Sequence, residues 1–238
     1  MRETPAYGAV PAPPRTAGHG VLRSLRAVPA AVPAALGTVA AGAIVGLSTA
    51  LVLAAAERPS FLSGPARAGF PSWMVGPLAR RASALPASPP ALQADLARVL
   101  ALLAIAWLVA WLCAERIPAP VLWGAVVLAQ VVLLLGPPLS LTDVFNYLHY
   151  GRMQPRYGLN PYVSLPLAAP HDAAYPYSNW HHLPSPYGPL FTLFSEALAP
   201  LSLPVAYWTL KAILLAASLG TLALVASTAR RLGRSPKA

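Results

Sequence analysis

An all-α, polytopic membrane bundle with a large polar loop is the fold class the sequence predicts, and three observations predict it. Hydrophobic residues fill 56% of the 238 positions and charged residues only 10%, with a mean hydropathy of +0.56. A soluble globular domain carries about 25% charged residues. The apolar residues fall in runs that approach bilayer length. The hydrogen-bonding side chains gather instead in one segment, 137–189, which holds all three asparagines (Asn146, Asn160, Asn179) and most of the tyrosines and histidines.

Residues 1–31 are rich in Pro, Ala and Gly and carry Arg2, Arg15, Arg23 and Arg26 against Glu3, the composition of a disordered basic tail. Residues 32–136 are expected to supply three transmembrane helices. The first, Val32–Ala56, is long enough for a hydrocarbon core of about 30 Å. Ala54-Ala55-Ala56 has the look of a signal-peptidase site, but the apolar stretch is too long for a signal-peptide core, so an uncleaved anchor is expected. A Pro/Ser-rich loop follows at 57–95, in which Pro71-Ser-Trp-Met is expected at the membrane interface, where tryptophan is enriched. Leu96–Cys113 and Pro120–Leu135 form the second and third spans, joined by a turn through Glu115, Arg116 and Pro118. Both are short, which calls for tilt or local thinning of the bilayer.

The polar loop occupies 137–189. Beyond it, within 190–229, Leu190–Leu201 is too short to cross unaided at 1.5 Å per residue, so 187–201 is expected as a re-entrant or interfacial helix. Pro204–Ala229 is the last span, and 230–238 is a basic end with Arg230, Arg231, Arg234 and Lys237. Basic residues at both ends point to cytoplasmic termini. Three preceding spans then place the 137–189 loop on the outer face. The Ala, Pro and Arg content suggests a bacterial plasma (inner) membrane.

The formal charge of +10 is scattered or sits beside apolar runs. That placement fits membrane orientation and argues against a nucleic-acid partner. The 28 prolines cluster in tail and loops, where a missing N–H does no harm. Cys113 is the single cysteine, which excludes an internal disulfide and a cysteine metal site. The chain has no dinucleotide fingerprint, no P-loop, no HExxH and no recognisable Ser/His/Asp spacing, so no cofactor is expected. There is no internal repeat.

Within the loop, Asp143–Gln154 reads as a helix. At about 100° per residue, Asp143, Asn146, Tyr147, Tyr150 and Gln154 share one face and Val144, Phe145 and Leu148 lie opposite. Such a helix is expected to lie in the interface, its apolar side in lipid or protein and its polar side turned to a cavity. Asp143 admits two readings. Ser140-Leu-Thr-Asp143 fits a capping box, in which the acid only satisfies backbone N–H groups. Alternatively, the carboxylate is a general base that takes a proton from a sugar or lipid hydroxyl.

Arg152 and Arg156 can grip a phosphate bidentately or simply anchor to lipid headgroups. Trp180, Tyr162 and Tyr187 can stack on a sugar or belong to an interfacial belt. His181-His182 lacks a carboxylate or cysteine set, so no metal is assigned to it. Asn160-Pro161 opens a turn and cannot be a glycosylation site. Glu196 and Lys211 sit in apolar stretches, where ionisable groups are costly and often functional; snorkelling is the default reading for Lys211, and Glu196 is left open.

Leu141-Thr-Asp143-Val-Phe-Asn-Tyr147 after an apolar span resembles the start of the first large outer loop of GT-C membrane glycosyltransferases. Gly151-Arg152, Gly158-Leu-Asn160-Pro161-Tyr162 and Trp180…Ser185-Pro-Tyr187-Gly188-Pro189-Leu190 continue the likeness. Over roughly residues 120–235 the pattern is most like glycosyltransferase family 87 and the polyprenol-phosphate-mannose-dependent α-1,6-mannosyltransferases of actinobacteria.

The resemblance implies a polyprenyl-phosphate sugar donor, a glycan or glycolipid acceptor, inversion at the anomeric carbon, and neither nucleotide sugar nor metal at the outer site. It maps the family's catalytic aspartate onto Asp143. Asn146, Tyr147, Tyr150, Arg152, Asn160, Tyr162, Trp180, His181, His182 and Tyr187 are the substrate-side candidates, and Arg152 is read as a donor-phosphate contact from its chemistry rather than from the resemblance. Such enzymes continue through further spans, so the Arg-Arg-Leu-Gly-Arg ending reads as an internal turn and the chain as an N-terminal portion. The competing reading is a non-enzymatic polytopic protein (a lipid-binding subunit, scaffold or transporter part) or an inactive truncated copy.

Overall fold

The computed structural model describes residues 31–57, 71–78, 89–139 and 143–237. Among them there is no strand. The elements are α1 (Ala31–Glu57), α2 (Ser72–Val75), α3 (Pro89–Cys113), α4 (Ala119–Leu135), α5 (Asp143–Tyr157), α6 (Pro189–Ala197) and α7 (Leu203–Arg231), with 3-10 turns at Ala114–Arg116, Pro166–Ala168 and Tyr175–Tyr177. The basic tail 1–30, most of the 57–95 loop and the Ser140–Thr142 half of the expected capping box lie outside the described residues.

The fold is an all-α membrane bundle. Three stretches, Val32–Ala55, Ala94–Arg116 and Leu203–Arg231, are long and apolar enough to cross a membrane, and Ala119–Leu135 is a shorter apolar helix. Large side chains such as Leu36, Val39, Ile105, Trp107 and Leu224 are exposed along them, as expected of surfaces that lipid covers.

Helix α1 packs against both α3 and α4, while α7 packs against α4 and α5. The α1 contacts are close because the meeting residues are small. A Cβ added at Gly37 would lie 2.6 Å from Ile117 Cγ1 and 2.8 Å from Cys113 Cβ, and one at Gly136 would lie 2.6 Å from Val52 Cγ1. Without a hydrophobic driving force inside lipid, such close approach of small residues is what gains dispersion energy between helices. A side-chain hydrogen bond from Gln130 to Ser218 Oγ, 2.9 Å, ties α4 to α7.

The polar segment forms a compact cap over one end of this bundle. Its core joins Met74, Phe145, Leu148, Ala174, Leu198, Leu203, Ala206, Tyr207 and Leu210. Trp73 packs edge-on against Phe145, Tyr177 and Tyr207, and its carbonyl accepts from Trp208 Nε1 at 2.8 Å. The Trp73–Met74 segment thus packs into the cap, with Met74 fully buried and Trp73 partly so.

Helix α5 runs three residues past its expected end. It stops at Gly158, whose φ of +66° is one that glycine adopts without penalty. The short α6 covers α5 so closely that a Cβ at Gly151 would lie 2.5 Å from the Ser195 carbonyl carbon. Gly151→Val is therefore expected to destabilise the cap by about 1–3 kcal/mol, the usual cost of overpacking. A lower midpoint for thermal loss of near-ultraviolet circular dichroism in detergent, with helix content unchanged, would report it.

Candidate functional site

The site is built from α5 upward. Asp143 opens the helix, and Asn146 and Tyr147, three and four residues on, stand on the same face. Asn146 is 1% exposed, and its whole hydrogen-bonding capacity is committed. Its Nδ2 donates to Asp143 Oδ1 at 3.1 Å and to Asn179 Oδ1 at 2.6 Å. Its Oδ1 accepts from the backbone N–H of Asn179 at 3.0 Å and of Trp180 at 3.4 Å. One side chain thus fixes the carboxylate and pins the returning segment 179–187 beside it.

That segment brings Tyr187 onto the Asp143 face. The Tyr187 ring meets Tyr147 edge-on at 4.7 Å and Tyr150 at 5.9 Å, and lies parallel to Trp180 at 6.1 Å. Phe191 closes the far side of Tyr147 at 5.0 Å. The Tyr187 hydroxyl is buried and has no hydrogen-bond partner among the described residues. Burial, together with the negative charge of Asp143, pushes the Tyr147 phenol up from its ordinary value. Burial, then the neighbouring Tyr147 and Asp143, pushes Tyr187 up as well. Both phenols therefore remain protonated donors at neutral pH. Asp143 itself is half-buried, and of the described side chains Asn146 alone donates to it. The cluster is a carboxylate held by one oxygen and faced by two neutral phenols, an arrangement suited to orienting a hydroxyl and accepting its proton.

Other candidates have different tasks. Tyr150 is 2% exposed and its hydroxyl donates to the Leu183 carbonyl at 2.7 Å, so it anchors the loop. Tyr162 donates to Thr192 Oγ1 at 2.8 Å. Asn160 Oδ1 accepts from the Tyr162 N–H at 2.9 Å, the side-chain turn anticipated for Asn-Pro. His181 stacks on Tyr175 at 3.9 Å, with Nε2 3.0 Å from Ser178 Oγ and from the Tyr175 carbonyl. His182 is exposed. Among the described residues no three of His, Cys, Asp and Glu come together as a metal would require.

Arg152 stands apart from the Asp143 cluster. Nine residues separate it from Asp143, which at about 100° per residue is half a revolution, and about 13 Å along the axis. It points away from the carboxylate into the protein, 5% exposed. Its Nε donates to both oxygens of Asp172, at 2.9 and 3.1 Å, and Nη1 to the Leu201 carbonyl at 3.2 Å. A carboxylate thus already engages the Nε of this guanidinium and a carbonyl its Nη1. Arg156 likewise grips the Ala199 carbonyl, at 2.6 and 3.0 Å. The helix expected to turn a polar side to a cavity is enclosed on both sides over most of 145–153, and opens at its Asp143 end and at its last residues, 154–157.

Sequence reasoning missed Asn179, Phe191 and Asp172. Asp172 was the one to find: it is the sole acid between Asp143 and Glu196, the natural counter-charge for a buried arginine.

Comparison with known families bears on this geometry. Residues 43–238 match the family model described as MptA_B family, alpha-(1->6)-mannopyranosyltransferase, N-terminal domain. The chain belongs to this mannopyranosyltransferase family. No characterised protein and no solved structure gives a match. The matched region takes in all of α3–α7, and with them the Asp143 cluster and the cap. The chain is accordingly a membrane glycosyltransferase of the α-mannosyltransferase type, acting on a sugar donor and a glycan acceptor.

Proposed function

We propose that the mannopyranosyltransferase chain moves a mannosyl group from a polyprenyl-phosphate donor to a glycan or glycolipid acceptor on the outer face of the bacterial plasma membrane, with inversion and with Asp143 as general base. The observation that carries this reading is the Asp143 carboxylate, fixed through one oxygen by Asn146 and set against the phenols of Tyr147 and Tyr187.

In the step we propose, an acceptor hydroxyl attacks the anomeric carbon from the side opposite the phosphate. Its proton passes to Asp143, the new glycosidic C–O bond forms, and the C–O bond to the phosphate breaks. The polyprenyl phosphate leaves as an anion and needs no proton from a general acid. Tyr147 and Tyr187 donate hydrogen bonds that align the acceptor, and Trp180, parallel to Tyr187, supplies an apolar face for a sugar ring. A cap seated at the ends of apolar helices long enough to cross a membrane suits a lipid-borne donor, whose sugar is presented at the bilayer surface.

Donor choice tests this. Membranes containing the protein, given radiolabelled polyprenyl-phosphate mannose, are expected to label a glycan or glycolipid, whereas a nucleotide-linked mannose supplied with lipid synthesis blocked is expected to label nothing. Equal labelling from the nucleotide sugar would overturn the donor assignment.

A further inference from the structure

A second polar feature lies on the opposite side of α5 from the Asp143 cluster. Lys211 is the one charged residue of α7 before its basic end. Its ammonium donates to the carbonyl of Gly136, just past the end of α4, and to the Tyr207 hydroxyl at 3.4 Å. It also lies 5.2 Å from the Tyr207 ring centre and 4.8 Å from that of Trp208. None of these partners is an anion. Among the described residues the ion pairs are Arg98–Asp95 and Arg152–Asp172, so none of their carboxylates neutralises this charge.

The Gly136 contact accounts for part of the arrangement, since a lysine can satisfy a carbonyl at a helix C-terminus. An ammonium has three donors, however, and a full charge at the edge of the hydrocarbon is costly without a counter-charge. Beside it runs a groove of about 230 Å³ between α4 and α7, lined by Gln130, Leu133, Leu134, Lys211, Leu214 and Leu215. Leu133 and Leu214 are exposed. An unpaired cation at the membrane boundary, continued by a leucine-lined groove, complements a molecule with an anionic head and apolar chains.

The position favours a bilayer lipid over the sugar donor. Tyr207 stacks on Phe145 at 5.5 Å and 3°, and Phe145 stands about 200° around α5 from Asp143. The groove thus opens behind the helix that carries the proposed base.

We infer that Lys211 and the α4–α7 groove form a binding site for an anionic phospholipid of the leaflet on the α5 side, its phosphate on the ammonium and its acyl chains along Leu133, Leu134 and Leu214. The lipid ties α4 to α7 beneath the cap. This site stands independently of the proposed donor and base.

Spin-labelled lipids and the full chain in bilayers test it. Wild type and Lys211→Arg are expected to select phosphatidylglycerol over phosphatidylcholine by about fivefold, the effect of one lysine near a membrane surface. Lys211→Gln and the groove-filling Leu214→Trp, which leaves the cation in place, are expected to select neither. Equal binding of the two lipids by wild type would overturn the site, as would preserved selection in Lys211→Gln. Displacement of phosphatidylglycerol by inorganic phosphate would mark a simple anion site. Displacement by polyprenyl phosphate at lower concentration would reassign the groove to the donor. Should Lys211→Gln fail to insert, the wild-type selectivity and Leu214→Trp still decide.

Discussion

Asp143→Asn is expected to lower mannosyl transfer by about 10²–10⁴-fold, the usual contribution of a positioned general base, while expression, membrane insertion and thermal midpoint stay close to wild type. The substitution keeps the shape of the side chain and its place beside Asn146, so substrate binding should change little and the loss should appear in kcat. Asp143→Glu retains a carboxylate but moves it by about the length of one bond, and a displacement near 1 Å can cost about 10²-fold. Asn146→Ala should behave differently from either. It frees the carboxylate and also leaves the amides of Asn179 and Trp180 without their acceptor, so it should lower both the rate and the stability of the cap, the latter by about 1–3 kcal/mol. Steady-state transfer assays paired with thermal unfolding separate the three. Wild-type kcat in Asp143→Asn would end the assignment of the base.

How far the sequence revealed this site depended on the range of the interactions. The membrane helices were legible because long apolar runs have few alternatives, and α5 was legible because its polar stripe has a helical period. The face carrying Asp143, Asn146 and Tyr147 followed from spacing alone. The role of each residue on that face did not. Spacing gave no sign that Asn146 is held by Asn179 and Trp180, more than thirty residues away. The angular position of Arg152, half a turn from Asp143, was available from the same arithmetic. Helical spacing did not reveal the pairing with Asp172, which claims the guanidinium across twenty residues of chain, although Asp172 stands out as the sole acid between Asp143 and Glu196. Residue type alone marked Trp73 for the interface, and it gave no sign of the partners on the distant α5 and α7 that half-bury it. Local periodicity records which way a side chain points; it carries no record of what waits there.

Breaking the Arg152–Asp172 pair is expected to give the largest loss of stability, about 3–5 kcal/mol for Arg152→Met or Asp172→Leu alone, because each leaves a buried charge without its partner. Replacing both together should cost less than either alone, since two apolar groups leave no stranded charge. That non-additivity, read from thermal midpoints of the four proteins, distinguishes a buried pair from a surface one. Acidity should act through the same link. Burial by itself pushes the Asp172 carboxyl up, but the Ala174 N–H, the Arg152 guanidinium and the Tyr157 hydroxyl outweigh it and hold the group below its usual range. A depressed carboxylate stabilises the fold above its unfolded value, near 3.9, and the contribution fades as pH falls through the lower folded value. His149 acts earlier in the same direction. It is 1% exposed, faces Asp172, His181 and Arg152, and is held below its ordinary value by burial first, against the opposing pull of Asp172. The unfolded chain binds its proton near pH 6.5 while the folded cap refuses it, so stability should begin to fall below that pH. His149→Gln is expected to remove this upper part of the acid loss and leave the lower part intact, and Asp172→Asn the reverse. Thermal midpoints measured from pH 7.5 to pH 4 follow the first branch, and a His149→Gln curve that overlays wild type throughout would assign the acid sensitivity elsewhere.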